Sequence, residues 1–228
     1  MDNAPVERAF CRAAFRTLKG VTQQAVSSAV QPASLKNAVI SNRVYNGLPA
    51  LPPFAVAFFI NLPPDRMEII PMTKEHWPAV EEIYRQGIDT RSATFETETP
   101  SWEVFDKKFM TVGRLVAVEQ GTVTGWIALV QVSQRECYRG IAEISVYIHN
   151  RHHRKGIGRA LMHRAAEESE QAGYWSLLSV IHEENTASIR LHEECGYRMI
   201  GRRERIACLH GIWKTTVMME KRSTIIGI

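Results

Sequence analysis

From residue 67 onward the chain alternates apolar and polar positions in short runs, switches to apolar spacings of three and four, and then returns to alternation. A period of two marks a half-buried strand and a period near 3.6 an amphipathic helix. MEIIPM at 67–72 predicts a strand, and Thr73 predicts the N-cap of a helix through KEHWPAVEEIYRQGID. SWEVFDKKFMT predicts a second, short helix capped by Ser101. RLVAVEQ and VTGWIALVQVS predict a hairpin turning at Gly121, with IAEISVYIH as the third strand of that group. GIGRALMHRAAEESEQAG predicts a long helix closed by Gly173. SLLSVIH predicts a strand, and NTASIRLHEECG a helix capped by Asn185 and ended by Gly196. YRMIGRRERIACL and IWKTTVMMEKR predict two final strands. The order βααβββαβαββ describes an α/β chain with a central mixed sheet flanked by helices, an antiparallel meander followed by a βαβ unit.

Residues 1–66 carry little of this patterning. ERAFCRAAFRTLKGVTQQAV contains arginines, is poor in acids and can form an amphipathic helix, which are the compositional marks of an organelle transit peptide. LPALPPFAVAFFINLPP holds five prolines and an apolar run too short to span a bilayer. Three readings stand: a transit peptide, an interaction tail, or sequence upstream of a true start at Met67. The last is preferred, because strand-like alternation begins at once in MEIIPMT. The expected organisation is a poorly ordered extension over 1–66, one folded domain over 67–222 and a short tail over 223–228.

Charge divides unevenly along the chain. Residues 1–66 hold seven Lys/Arg against three acids and so account for the whole formal net charge of +4. The folded region is neutral, which removes the electrostatic footprint of a nucleic-acid-binding surface. The four cysteines form no C-x-x-C pair. That argues against a disulfide framework or structural zinc and suits a reducing compartment, the cytoplasm, unless 1–66 directs import to an organelle. His149, His152, His153 and His163 lack an acidic companion and a converging spacing, so no metal is expected.

Two stretches carry chemistry. RHHRKGIGRAL, residues 151–161, joins a strand to a helix. Such a turn presents free backbone N–H groups at the positive end of a helix dipole, a ready anion site. Gly156 and Gly158 allow close backbone approach, and Arg154, Lys155 and Arg159 add charge, which matches a phosphate or pyrophosphate. The P-loop pattern and the three-glycine dinucleotide fingerprint are both absent. A basic turn alone is often only a solvated helix start. In AEISVYI, alternation places Glu143, Ser145 and Tyr147 on one face and Ile144, Val146 and Ile148 on the other. A glutamate amid a strand made for burial is costly unless paired or used; the alternative is a solvated sheet face.

Across nearly all of 67–220 the chain resembles the GCN5-related N-acetyltransferases. Within that superfamily it resembles the phosphinothricin and amino-acid N-acetyltransferase group, through the glycine loop, RSATFET (91–97), AEISVYIH (142–149), ENTASIRLHEECGY (184–197) and HGIW (210–213). His153 departs from the pattern, which prefers Gln or Arg there. The resemblance implies acetyl transfer from acetyl-CoA to the α-amine of a small amino acid or analogue such as phosphinothricin, methionine sulfone or methionine sulfoximine. It implies that acetyl-CoA enters where two central strands splay, its pantetheine arm lying along Val146, Tyr147 and Ile148. The pyrophosphate would sit on Arg154, Lys155, Gly156, Ile157, Gly158 and Arg159, with Asn185 reaching the pantetheine side. It implies Glu143 as general base and His192 as the group that protonates the thiolate or assists deprotonation, with a backbone N–H near Val146 meeting the oxyanion. Arg135, Tyr147 and Phe95 would form the substrate site, and relatives of this kind are homodimers. Ser133 stands where phosphinothricin enzymes carry a second cation, which favours less charged analogues. Two other functions remain open: a non-catalytic acetyl-CoA-sensing module, and a protein N-terminal or lysine acetyltransferase.

Overall fold

The computed structural model describes residues 67–228, and the readings of residues 1–66 lie outside them. Strand β1 spans Glu68–Pro71 and is followed by a 3-10 turn, Lys74–His76. Helix α1 spans Trp77–Asp89, helix α2 Trp102–Lys108, strand β2 Leu115–Glu119, strand β3 Thr122–Gln131 and strand β4 Ile141–Ile148. Helix α3 spans Ile157–Gln171, strand β5 Ser176–His182, helix α4 Thr186–Glu194, strand β6 Arg198–Leu209 and strand β7 Ile212–Arg222. Every element expected from the hydrophobic pattern is present, in the expected order.

The boundaries differ where local chemistry intervenes. The first helix is broken into a 3-10 turn and α1 because Pro78, lacking an N–H, fits only in an opening helical turn. Helix α2 stops at Lys108: Phe109 turns extended and buries its ring, and the Met110 N–H bonds the Leu129 carbonyl at 2.8 Å. The β2–β3 turn takes positive φ at both Gln120 (50°) and Gly121 (78°), the conformation that matches the twist of a two-residue hairpin.

Seven strands form one sheet in the order β1-β2-β3-β4-β5-β7-β6. All neighbours are antiparallel except β4 and β5. A bulge interrupts the β2–β3 register after Ala117. Thr124 is the unmatched residue, and its buried hydroxyl donates to the Ala117 carbonyl at 3.2 Å.

Each face of the sheet has its own core. On one face α3 packs Ile157, Leu161, Met162 and Ala165 against Leu115, Ile127, Ile144, Leu177, Ile181 and Met219, which come from both halves of the sheet. On the other, α1 and α2 pack Val80, Ile83, Tyr84 and Phe105 against Val116, Val123, Trp126 and Ala128, all from β2 and β3. Among the described residues no helix is long and apolar enough to cross a membrane.

Candidate active site

Strands β4 and β5 pair only through Ile141–Ser176, Ala142–Leu177 and Glu143–Leu178. Beyond that point β4 continues to Ile148 and β5 to His182 with no further pairing between them. The two strands therefore splay, as the resemblance implies. The gap opens into a cavity of about 250 Å³ lined by the upper part of both strands, by the 93–96 segment and by the start of α4.

Of the expected site residues, Phe95, Glu143, Val146, Tyr147, Asn185 and His192 line this cavity together. Glu143 is half-buried on β4, and burial raises its carboxyl above the ordinary range, with Lys108 and Arg203 pulling it back. Tyr147 stacks on Trp126 with ring centroids 4.7 Å apart and leans on Tyr84 at 4.9 Å. Gly87 on α1 is pressed against that ring: a Cβ there would stand 2.6 Å from the Tyr147 ring carbons. Burial raises both phenols, Tyr84 to about 12, so both stay protonated donors at neutral pH.

His192 sits one helical turn after Ser188 on α4 and is 1% exposed. Its Nδ1 lies 2.7 Å from the Ser188 carbonyl, which accepts only a hydrogen bond and so assigns the proton to Nδ1. Nε2 is then the bare nitrogen, and it has no hydrogen-bond partner in the described structure. Burial pushes the imidazole below its usual value, with the Ser188 carbonyl acting in the opposite direction. Asn185 serves two ends at once: Oδ1 accepts from the Ser188 N–H at 3.1 Å as the N-cap of α4, and Nδ2 donates to the Ser92 carbonyl at 3.3 Å.

The glycine loop runs from the end of β4 into the N-terminus of α3. Arg154 (φ 61°) and Gly156 (φ 79°) both take left-handed backbone, and α3 begins at Ile157 with Gly156 as its N-cap. The N–H groups at the start of α3 are the free donors of a helix N-terminus. Gly158 is buried where α4 crosses, and a Cβ there would meet a methyl of Leu191 at 2.9 Å. His153, the departure from the family pattern, turns its ring back so that Nε2 contacts the Ile148 carbonyl at 3.0 Å. It thereby holds the loop to the end of β4.

Arg135 stands elsewhere. It is exposed on the β3–β4 connection, with its guanidinium over the Tyr138 ring at 5.4 Å, and does not line the cavity. Four features escaped the sequence reading. Lys108, at the end of α2, lines the cavity and pairs with Glu96 at 3.1 Å. His182, at the end of β5, lines it as a buried imidazole. Thr94 and Ser179 add hydroxyls to its wall. Glu119 on β2 approaches the glycine loop and meets His152 at 3.2 Å and Lys155 at 3.8 Å. Thr94 lies within RSATFET, but the others sit in no quoted motif, and Lys108, His182 and Glu119 are brought in by helix or strand ends distant in sequence. Among the described residues no group of three His, Cys, Asp or Glu is placed to hold a metal ion.

A family model described as "Acetyltransferase (GNAT) family" matches residues 77–197. An L-methionine sulfoximine/L-methionine sulfone acetyltransferase of Salmonella typhimurium is 28% identical over 147 residues, 62% of this chain and 86% of that protein. A phosphinothricin N-acetyltransferase of Streptomyces viridochromogenes is 32% identical over 151 residues, 64% of this chain and 82% of that protein. Among solved structures, a GNAT superfamily phosphinothricin acetyltransferase from Sinorhizobium meliloti in complex with acetyl-CoA superposes with a TM-score of 0.62 and 25% identity, over 71% of this chain and 95% of that one.

Proposed function

Since the chain belongs to the acetyltransferase (GNAT) family, and so is an acyltransferase, we propose that it moves the acetyl group of acetyl-CoA onto the α-amine of a small amino acid or amino-acid analogue. The observation that carries this reading is the cavity itself, which sets a half-buried carboxylate and a neutral imidazole beside the β4–β5 gap. Relatives named for methionine sulfoximine, methionine sulfone and phosphinothricin support the substrate class.

The pantetheine arm lies along Val146, Tyr147 and Ile148 as an added strand in the gap. The pyrophosphate occupies the loop from Arg154 to Arg159, where Lys155 leaves Glu119 to meet it. An amino acid arrives largely as the ammonium, which has no lone pair to attack with. Glu143 takes that proton, directly or through one water, and its raised carboxyl makes it a better acceptor at neutral pH than an ordinary glutamate. The freed amine attacks the thioester carbonyl, a backbone N–H near Val146 meets the oxyanion, and collapse breaks the C–S bond to release CoA. His192, neutral with Nε2 bare, is placed for proton acceptance rather than for starting as an acid. The substrate carboxylate falls to Lys108, already on the cavity wall, with Arg135 as the alternative after leaving Tyr138.

A CoA-release assay of the full chain against amino acids and their sulfone, sulfoximine and phosphinic analogues tests the assignment. Acetyl-CoA binding without turnover of any small amine would favour the sensing module instead. Lys108→Met should raise the amino-acid KM about tenfold, the value of one charge-assisted hydrogen bond, and leave the acetyl-CoA KM in place. If Arg135→Gln shows that split and Lys108→Met does not, the carboxylate belongs to Arg135. Gly156→Ala should weaken acetyl-CoA binding about tenfold, measured by calorimetry. The unbound loop can relax away from a left-handed alanine that costs about 1–2 kcal/mol, and binding must restore it.

A homodimer fits the apolar side chains along the β6–β7 edge, where Ile212 is 60% and Trp213 62% exposed beside Met199, Ile200 and Ile206. The free cysteines at 137, 195 and 208 fit a cytoplasmic location. The domain limits read from the sequence, 67–222 with a short tail, fit the last strand ending at Arg222.

A further inference from the structure

We infer that His182 reads the substrate side chain, by hydrogen-bonding a polar, uncharged group such as a sulfone or sulfoximine oxygen or a carboxamide. The inference rests on the amino-acid acetyltransferase assignment. His182 is the last residue of β5, is 3% exposed and lines the cavity. Neither of its ring nitrogens has a hydrogen-bond partner. A neutral imidazole carries one donor and one acceptor, and buried polar atoms are bonded in the great majority of cases. Its cross-strand neighbour Thr216, fully buried on the same face, also carries a hydroxyl without a partner. An unsatisfied imidazole on the cavity wall, backed by an unsatisfied hydroxyl on the next strand, is the signature of a site that its ligand completes.

The strand register says which site. Parallel pairing of Glu143 with Leu178 places Leu178, Val180 and His182 on the same face as Glu143, Ser145 and Tyr147. His182 therefore faces the amine-activating carboxylate's side of the sheet, across the gap from Tyr147. The Phe95 ring, 4.4 Å from its own, covers one side of the imidazole. Burial pushes the imidazole below its usual value, Glu184 opposes this and Lys214 adds to it, so the ring is uncharged at neutral pH. An uncharged donor–acceptor pair matches S=O, S=N–H or a carboxamide and offers no counter-charge to a phosphinate.

The test is steady-state CoA release by the full chain with methionine sulfone and methionine sulfoximine, against norleucine as the apolar analogue of similar length. His182→Leu should raise KM for the two polar substrates about tenfold while norleucine KM stays within about twofold. The acetyl-CoA KM should hold, and the melting temperature should not fall, since an unsatisfied polar group is removed. His182→Gln, which retains a donor and an acceptor, should recover part of the selectivity and serves as the deciding variant if His182→Leu does not fold. An unchanged ratio of polar to apolar substrates, or a uniform loss on all of them, overturns the role of His182 and leaves the acetyltransferase assignment standing. Failure of the native protein to acetylate any member of the panel removes both.

Discussion

Glu143→Gln is expected to lower kcat on the order of 10²-fold or more, with the KM for acetyl-CoA unchanged. Glutamine keeps the shape and hydrogen-bonding reach of the side chain and removes only its ability to take the ammonium proton. The native pH–rate profile should rise as pH climbs through the raised carboxyl value of Glu143, and that limb should be missing from the variant. Stability should move the other way. A carboxyl raised by burial holds its proton more firmly folded than unfolded. The stability it contributes is complete below its unfolded value and is lost as pH rises through the folded one. At neutral pH the ionised side chain is therefore a cost, and Glu143→Gln should melt no lower than the native protein. An inactive variant with undiminished stability separates a chemical role from a structural one; the same pH limb in both proteins would remove Glu143 from proton transfer.

Phe105→Ala should destabilise the fold by about 3–5 kcal/mol, read as a lower urea midpoint with an unchanged slope. Phe105 is fully buried on α2 and packs against Phe109 at 4.5 Å, Trp77 at 4.8 Å and Trp126 at 5.5 Å between ring centroids. Trp126 in turn stacks on Tyr147, so the cavity wall rests on this aromatic stack. Rings of this size leave a void that α2, short and anchored by Ser101 at its start, can close only in part. Phe105→Leu should cost less than half as much, and equal losses for both would point to lost ring–ring geometry rather than a cavity.

The hydrophobic pattern reached every strand and helix because period two and period 3.6 are local properties. Capping residues Ser101 and Asn185 and the turn at Gly121 were legible for the same reason: their hydrogen bonds and backbone angles span a few residues. Glu143, His192 and the glycine loop were legible through motif resemblance, and the fold gathers them around one gap. What stayed hidden depends on long-range register. The bulge at Thr124 appears only when β2 and β3 are aligned. His182 is an ordinary strand-ending histidine until the β4–β5 register gives it a face, and Lys108 an ordinary helix-ending lysine until the fold brings it to the cavity wall. His153 looked like a flaw in the loop, and its ring proves to be bound to the Ile148 carbonyl.

The short ladder between β4 and β5 has a mechanical meaning. Three register pairs join the leaf β1–β4 to the leaf β5–β7, whereas β3–β4 and β5–β7 are each joined by seven. The sheet is thus two stiff leaves on a narrow spine. On the α3 side the core grips residues of both leaves, while on the α1–α2 side it grips only the β1–β4 leaf. One face is thus tied by a continuous core, and the other, where Glu143 and His182 lie, by the Phe95–His182 ring contact and the Asn185–Ser92 hydrogen bond. A molecule seated in the gap bears on both leaves at once, as a wedge driven in beside the spine.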